Sequence, residues 1–297
     1  MALYAFDGTW DDRSNNTNVL QFFQIFDRRQ PSPNNTYVEG VGTHETIAGR
    51  LAGGIVGAGE GVKVDEGYAA LAKAYPSDPV IDIVGFSRGA ATALDFANRI
   101  YRKGVRDQQG NVIAPAPVIR FLGLWDVVAA FGVASLGFYF SQLNFGHHLT
   151  LPEDRLQFCF HAMALDERRT SFYLTRVRRA HEVWFRGAHS DIGGGNQNPK
   201  RSNIALRWMI RKAIGAGLPL SEADALGLGC DAASDIKPDP ASRISVFKRS
   251  VAAADLVHYT VKPLPDTNNP PVTAPTETEP MELAAQQVDG VAAEAHV

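Results

Sequence analysis

A serine flanked by glycines stands between a predicted strand and a predicted helix. Residues 80–86 form a short β-branched apolar run, which indicates a buried strand. The pattern G-x-S-x-G follows at Gly85, Ser87 and Gly89, and an alanine-rich stretch with helical spacing covers residues 88–101. In a nucleophile elbow, a strained turn projects a reactive serine, and side chains two residues to either side would collide. The sequence therefore predicts Ser87 as a nucleophile, the alternative being a chance match to a permissive pattern.

Strands and helices alternate along the first half of the chain. Predicted strands lie at 3–6, 37–42, 80–86 and 118–125, and predicted helices lie at 19–26, 62–75 and 88–101. Alternation of this kind indicates an α/β fold, with a mostly parallel central sheet and helices on both faces. Further predicted elements are a helix over 153–167, a strand over 182–185 and a helix over 202–216.

A serine nucleophile needs a base that removes its proton and an acid that orients the base. Asp126 directly follows the fourth predicted strand, at the carboxyl end of the sheet, where sites in open α/β folds lie. His189 follows the strand over 182–185, in a glycine-rich loop. The order Ser, Asp, His is that of α/β hydrolases, so Ser87, Asp126 and His189 are the predicted catalytic triad.

Each triad assignment has an alternative. Asp126 also fits the N-cap of a following helix. Asp191, two residues from His189, is a rival acid. A lone histidine is often structural, but glycines on both sides of His189 give its loop the freedom to reach across a site.

An oxyanion hole uses the N–H of the residue after the nucleophile and a second N–H from the loop after an early strand. The expected donors are the amides of Arg88, Gly8, Thr9 and Trp10. The sequence Asp7-Gly8-Thr9 also resembles part of the D-x-D-G-T motif of aspartyl phosphatases. Ala5 stands at the nucleophile position of that motif, and alanine cannot form an aspartyl-phosphate. We therefore expect Asp7 to cap the loop or orient the oxyanion donors.

Residues 127–145 contain no charged residue and several aromatic ones. Polar residues interrupt the stretch and no strongly basic flank anchors it, which disfavours a transmembrane span. Two interpretations remain, a plain buried segment and a lid-like insertion over 127–150 that lines an acyl-binding site. In the second case the expected substrate-contacting residues are Phe131, Phe138, Tyr139 and Phe140.

Composition limits the other classes of function. The 297 residues carry a formal net charge of −3, so the chain lacks the overall positive charge that is typical of nucleic-acid-binding proteins. Two distant cysteines provide neither a disulfide framework nor a metal site, and neither a metal nor a cofactor is expected. Six arginines between residues 168 and 186 are interpreted as a solvated face or as a surface that attracts anionic head groups.

The two ends of the chain give expectations about location and domains. The first ten residues lack the basic and apolar pattern of a secretory signal, so we expect a cytoplasmic protein. Any export would then use a route that needs no signal peptide. From residue 262 large apolar residues nearly vanish. We therefore expect a catalytic domain over 1–261 and a disordered tail over 262–297.

Seven segments, taken in order, resemble an α/β-hydrolase family that includes the catalytic domains of type VI secretion phospholipase effectors. They are FDGTW (6–10), TN (17–18), GVGT (40–43), GFSRGAA (85–91), GLWDVV (123–128), ALDERR (164–169) and VWFRGAHSDIGGG (183–195). The resemblance covers about residues 1–220. It implies Ser87 as nucleophile, Asp126 as acid, His189 as base, and phospholipids as the substrate class. It also implies an immunity protein as partner. Peripheral contact with a membrane is expected from the arginines at 168–186 instead, since the effectors usually add a sizeable membrane-docking region and this chain has only the apolar stretch over 127–145.

The expected function is hydrolysis of carboxylic esters by a serine enzyme of the phospholipase or lipase type. Two alternatives stay open. The same triad serves a soluble esterase, thioesterase or acyltransferase on a non-lipid substrate, and a hydrolase fold can also persist as a non-catalytic binding module.

Overall fold

The structure is a computed structural model, and it describes residues 1–8, 11, 13–40, 58–128, 154–169, 172–196, 198–236, 248–264 and 269–277. Several predicted features fall outside these ranges. They are the loop residues Thr9 and Trp10, all but the first two residues of the lid-like insertion, and its aromatic residues Phe131, Phe138, Tyr139 and Phe140.

The described residues contain ten strands and six helices. The strands are β1 (Ala2–Phe6), β2 (Thr36–Val38), β3 (Ile81–Phe86), β4 (Val105–Arg106), β5 (Val112–Ala114), β6 (Ile119–Trp125), β7 (Leu156–Ala164), β8 (His181–Phe185), β9 (Leu256–His258) and β10 (Thr276–Glu277). The helices are α1 (Asn18–Arg29), α2 (Ala58–Ala74), α3 (Ser87–Lys103), α4 (His189–Gly193), α5 (Pro199–Gly215) and α6 (Glu222–Leu226). No helix in the described ranges is long and apolar enough to span a bilayer.

Eight of the described strands form one sheet in the order β2-β1-β3-β6-β7-β8-β9-β10. Every neighbouring pair in this sheet is parallel. Strands β4 and β5 form a separate antiparallel pair. The apolar strand β3 lies inside the sheet between β1 and β6, and all six of its residues are buried. The predicted α/β architecture is confirmed, and the carboxyl ends of the parallel strands meet at one edge, where a site can form.

Helices cover both faces of the sheet, as predicted. On one face α1 and α5 pack against the strands, with the ring of Phe22 stacked 6.2 Å from that of Phe121 and Trp208 edge-on to Phe160. On the other face α2 and α3 pack together, and Phe96 contacts the ring of Phe6 at 5.2 Å. Each buried aromatic or aliphatic side chain contributes about 1.5–3 kcal/mol. Burial on both faces therefore holds the sheet between two helical layers.

The predicted helix over 153–167 is wrong, because residues 156–164 form strand β7. This strand lies between β6 and β8, and its side chains pack into the cores on both faces. A strand covered on both sides has a continuous apolar sequence instead of an alternating one. Periodicity cannot distinguish such a run from a buried helix, which explains the error.

The predicted disordered tail is wrong for the parts that the structure describes, 262–264 and 269–277. The side chain of Asn269 accepts a hydrogen bond from the buried Arg186 at 2.9 Å. Residues Thr276 and Glu277 form β10, which pairs with β9 at the end of the sheet. The composition of the tail indicates few apolar contacts, but polar anchors and a strand hold its described parts in place. The fold therefore continues past the predicted boundary at residue 261.

Glu277 is the main anchor of this terminal strand. Its carboxylate accepts hydrogen bonds from Trp208 Nε1 at 2.8 Å and pairs with Lys212 Nζ at 2.7 Å and His181 Nε2 at 2.7 Å. Burial raises the pKa of Glu277, but the His181 hydrogen bond and the Lys212 charge outweigh burial and lower the pKa to about 2. A carboxylate whose pKa is lower in the folded protein than in the unfolded chain stabilises the fold at pH values above the unfolded-state pKa. That contribution to the free energy of unfolding is lost as the pH falls towards the folded-state pKa.

We expect Glu277→Gln to lower the free energy of unfolding by roughly 3 kcal/mol at pH 7, because it removes this ionised contact. The difference from wild type should shrink as the pH falls from 4.5 towards 2. Urea unfolding of both proteins at pH 7 and pH 3 measures it. The matched control is Glu222→Gln, whose partner is Arg211 and whose side chain is 34% exposed, with an expected loss of less than about 1 kcal/mol. An equal loss for Glu277→Gln at both pH values would contradict the assignment.

Candidate active site

Ser87 stands at a sharp turn between β3 and α3, as the elbow requires. Its backbone has φ +58°, a left-handed conformation that is unusual for serine. The two flanking glycines leave no room for a side chain. A Cβ on Gly85 would lie 2.7 Å from the carbonyl oxygen of Gly89, and a Cβ on Gly89 would lie 2.3 Å from that of Asp7. The glycines therefore permit both the turn and the close approach of β1 to α3.

Asp126 and His189 each follow a strand, as the sequence predicts. Asp126 follows β6, the neighbour of β3, and His189 is the first residue of α4, after β8. The side chain of His189 accepts a hydrogen bond at Nε2 from Ser87 Oγ at 2.8 Å. Its Nδ1 donates to Asp126 Oδ2 at 2.6 Å, since a carboxylate can only accept. The structure thus brings the three predicted residues into one continuous hydrogen-bonded chain.

The backbone around Asp126 is held by the neighbouring strand β7. Asp126 has φ +42°, and its N–H donates to the carbonyl oxygen of Ala162 at 2.8 Å. The next amide, that of Val127, donates to Nε2 of the fully buried His161 at 3.1 Å. Nδ1 of His161 in turn donates to Glu182 at 2.9 Å. These bonds fix a strained conformation that aims the carboxylate at His189.

Four donors surround the carboxylate of Asp126, which is completely buried. Besides His189, Oδ1 accepts from the amide of Ala164 at 2.8 Å and from Arg249 Nη1 at 2.6 Å, and Oδ2 accepts from Arg249 Nη2 at 3.0 Å. Burial raises the pKa of Asp126, but the Arg249 charge and the His189 hydrogen bond outweigh it and hold the pKa well below its ordinary value. Asp126 is therefore an ionised partner of His189 and Arg249, and the N-cap alternative does not account for these contacts.

The imidazole of His189 is fixed by aromatic rings as well as by hydrogen bonds. The ring of Phe86 lies 4.6 Å from it and that of Phe172 lies 4.7 Å away, edge-on. The backbone N–H of His189 donates to Glu167 at 3.2 Å. Burial lowers the pKa of His189 below its ordinary value, with Asp126 opposing that shift and Arg249 adding to it. The histidine is therefore held neutral at pH 7, with a lone pair on Nε2 that faces Ser87.

Asp191, the rival acid, has a structural role. Its Oδ2 accepts from the amide of Ala188 at 3.0 Å and its Oδ1 from Asn196 at 2.6 Å. These contacts cap the start of α4. The segment expected to be a glycine-rich loop is thus a one-turn helix followed by two glycines, Gly194 and Gly195, with positive φ.

The Gly8 amide is engaged by the side chain of Asp7, contrary to its expected role as an oxyanion donor. It donates to Asp7 Oδ1 at 2.8 Å, while Thr17 Oγ1 and Tyr37 OH donate to Oδ2 at 2.5 and 2.6 Å. Asp7 therefore caps the loop after β1, one of its two expected roles. A Cβ on Gly8 would lie 3.4 Å from Ser87 Cβ, which places this loop beside the nucleophile. Arg88, the residue after the nucleophile, is the second residue of α3.

The arginine run contributes mainly to the fold. Arg186 is buried and pairs with Asp166 at 2.8 Å. Arg169 pairs with Glu167 at 2.7 Å, and Arg176 bridges Glu182 and Asp255. These three arginines make ion pairs within the chain, which neither expected interpretation included. Among the described residues there is no cluster of three or more His, Cys, Asp or Glu side chains that could hold a metal ion.

Arg249 is the site residue that sequence reasoning missed. It lies far from every motif, in a segment without regular structure, and nothing in its neighbours marks it as special. Glu167 lies in the ALDERR segment that carries the family resemblance, but the sequence did not predict a role for it in the site. Contacts of this kind depend on tertiary structure, and a single sequence carries no periodic signal for them.

A family model described as "T6SS, Phospholipase effector Tle1-like, catalytic domain" matches residues 3–116 and 103–212 of this chain, well over half of its length. This match confirms the family resemblance inferred from the seven segments. A comparison with curated proteins finds no match.

Two solved structures are similar to the chain. One, titled "Structure of the Tle1 effector bound to the VgrG spike from the Type 6 secretion system", is 24% identical with a TM-score of 0.49, and the match covers 67% of this chain and 51% of that one. The other, an uncharacterised protein from Pseudomonas aeruginosa, is 21% identical with a TM-score of 0.49, covering 82% and 48%. The chain thus spans about half the length of the solved proteins that it matches.

Proposed function

The chain belongs to the family of Tle1-like catalytic domains of type VI secretion phospholipase effectors, and from this premise we propose that it hydrolyses carboxylic esters. Ser87 is the nucleophile, His189 is the general base, and Asp126 orients the imidazole. The observation that carries the proposal is the unbroken chain of hydrogen bonds from Ser87 Oγ, through both nitrogens of His189, to Asp126.

The proposed reaction has two halves with balanced proton transfers. Ser87 Oγ attacks the ester carbonyl carbon while its proton passes to His189 Nε2. The bond to the leaving oxygen then breaks, and the alcohol takes the proton from His189. Water attacks the acyl carbon in the same way, and cleavage of the bond to Oγ releases the carboxylic acid and restores Ser87.

We assign stabilisation of the oxyanion to two backbone amides. The first is that of Arg88, at the start of α3, where the helix dipole also favours negative charge. The Gly8 N–H already donates to Asp7, so we assign the second oxyanion donor to the N–H of Thr9 or Trp10 in the same loop. Donors of this kind contribute about 3–4 kcal/mol each to transition-state stability.

The proposed substrate is a phospholipid. Two features support this choice, the family of the chain and the aromatic-rich stretch that begins directly after Asp126. We propose that this stretch contacts the acyl chain. The residues assigned to that contact are Phe131, Phe138, Tyr139 and Phe140.

The test is release of fatty acid from vesicles of phosphatidylglycerol or phosphatidylethanolamine, beside hydrolysis of p-nitrophenyl butyrate, with wild type and Ser87→Ala. Release from vesicles that depends on Ser87 supports a phospholipase. Activity on the soluble ester alone contradicts the phospholipid and leaves an esterase. Activity on neither contradicts ester hydrolysis.

Membership of an effector family also suggests partners and a route. We propose export through a type VI secretion system, an immunity protein that binds and inhibits the chain, and peripheral contact with a membrane. Co-purification with a co-expressed immunity protein, together with loss of vesicle hydrolysis in the complex, tests the partner.

A further inference from the structure

Arg249 contacts the triad directly, through the carboxylate of Asp126. Its guanidinium is buried and binds both oxygens of Asp126, at 2.6 and 3.0 Å. It also donates to the carbonyl oxygens of Ala164, at 2.7 Å, and Phe172, at 2.9 Å. Arg249 thus links the ends of β6 and β7 with the residue whose ring packs on His189.

We propose that Arg249 is a positioning residue that sets the basicity of His189 and so extends hydrolysis to lower pH. This inference rests on the proposed function. In a Ser-His-Asp site, the negative charge of the aspartate stabilises the imidazolium that forms during attack. A bidentate guanidinium neutralises much of that charge, so Asp126 orients His189 but supports its positive form less.

The other charged groups around His189 leave this role to Arg249. Glu167 accepts a hydrogen bond from the backbone N–H of His189. The charge of Glu167 is paired with the guanidinium of Arg169, and the backbone N–H of Arg169 also donates to the Glu167 carboxylate. Asp166 lies on the same segment and is paired with Arg186. Asp191, on α4 itself, is used in capping. Among these groups only Arg249 places a positive charge on the carboxylate that holds the imidazole.

The segment that carries Arg249 lies beyond the residues that the family model matches, 3–212. The part of the chain after the matched region therefore contributes to the site as well as to the end of the sheet. A truncation before residue 249 would remove the arginine partner of a completely buried carboxylate.

The sign of the pH effect follows from the charge. Removing a cation next to the Asp126–His189 pair favours imidazolium, so the pKa of His189 rises. Only the neutral imidazole can accept the proton of Ser87, so the acid limb of kcat/KM against pH moves to higher pH. Loss of Arg249 also raises the pKa of the buried Asp126, which moves the limb in the same direction.

The test compares wild type with Arg249→Met and Arg249→Lys on p-nitrophenyl butyrate from pH 4 to 9. We expect the acid limb of Arg249→Met to move up by about one pH unit. Lysine keeps the charge, so Arg249→Lys should keep the limb near its wild-type position even if its plateau is lower. The matched control is Arg120→Met, which breaks a similar pair with the buried Asp82 at the opposite end of β6 and should leave the limb unchanged.

A second readout needs no turnover. In protein labelled with 15N-histidine, the His189 resonance is assigned by its absence in His189→Gln and titrated by NMR in wild type and in Arg249→Met. A higher pKa in Arg249→Met supports the proposal. An unchanged pKa, or a loss of activity by the same factor at every pH, would mean that Arg249 only supports the fold. Failure of ester hydrolysis itself appears separately, as wild-type activity that does not depend on Ser87.

Discussion

Replacing Ser87 by alanine is expected to lower kcat/KM on p-nitrophenyl butyrate by a factor of about 10⁴ or more. The change removes only the Oγ atom that bonds to the attacked carbon. The elbow glycines, the oxyanion amides and the His189–Asp126 bond remain, so the variant should fold like wild type. Initial rates and the melting temperature measure the two properties independently.

The matched control for this prediction is Ser202→Ala. Ser202 is another buried serine, on α5, and its hydroxyl contacts only the carbonyl oxygen of Pro199 among the hydrogen bonds described for it. Its loss should change kcat/KM by less than about twofold, because its hydroxyl bonds to no residue of the triad. Residual activity of Ser87→Ala within tenfold of wild type would remove Ser87 from the mechanism.

Asp126→Asn is expected to have the second largest effect, on both rate and stability. An amide cannot hold His189 in the tautomer that leaves Nε2 free to accept, and losses near 10⁴ in kcat follow from that change in comparable sites. The substitution also leaves the charge of Arg249 buried without its counter-ion. Breaking a buried pair in this way costs about 3–5 kcal/mol of unfolding free energy.

Two further variants separate these effects. Asp82→Asn breaks the pair between buried Asp82 and Arg120 near the amino ends of β3 and β6, so it should lose stability but keep activity. The double variant Asp126→Asn with Arg249→Met should be more stable than Asp126→Asn alone, since it removes the unpaired charge. Kinetics within tenfold of wild type for Asp126→Asn, or strictly additive losses of stability, would contradict the assignment.

Much of the site could be predicted because it depends on local signals and on one rule of topology. The elbow has a strict requirement for glycine at Gly85 and Gly89, which a sequence displays directly. Parallel strands carry their carboxyl ends to one edge, so residues that follow β3, β6 and β8 meet there. By that rule the sequence alone predicts that Ser87, Asp126 and His189 lie together.

The errors arise where order comes from long-range contacts. Strand β7 resembles a buried helix because both of its faces are covered. The terminal strand holds few apolar side chains, and its order depends on Glu277 reaching Lys212 and His181. Arg249 is 123 residues away from Asp126 along the chain. None of these partners is implied by the residues on either side.

If Ser87 is the activated nucleophile, a reagent that reacts with activated serines should label it covalently. Wild type, His189→Gln and Ser87→Ala are treated with a fluorophosphonate, digested and analysed by mass spectrometry. We predict one adduct, on the peptide that contains Ser87, which forms much more slowly in His189→Gln and is absent in Ser87→Ala. A protein that stays unlabelled, or an adduct on another residue, would contradict the mechanism.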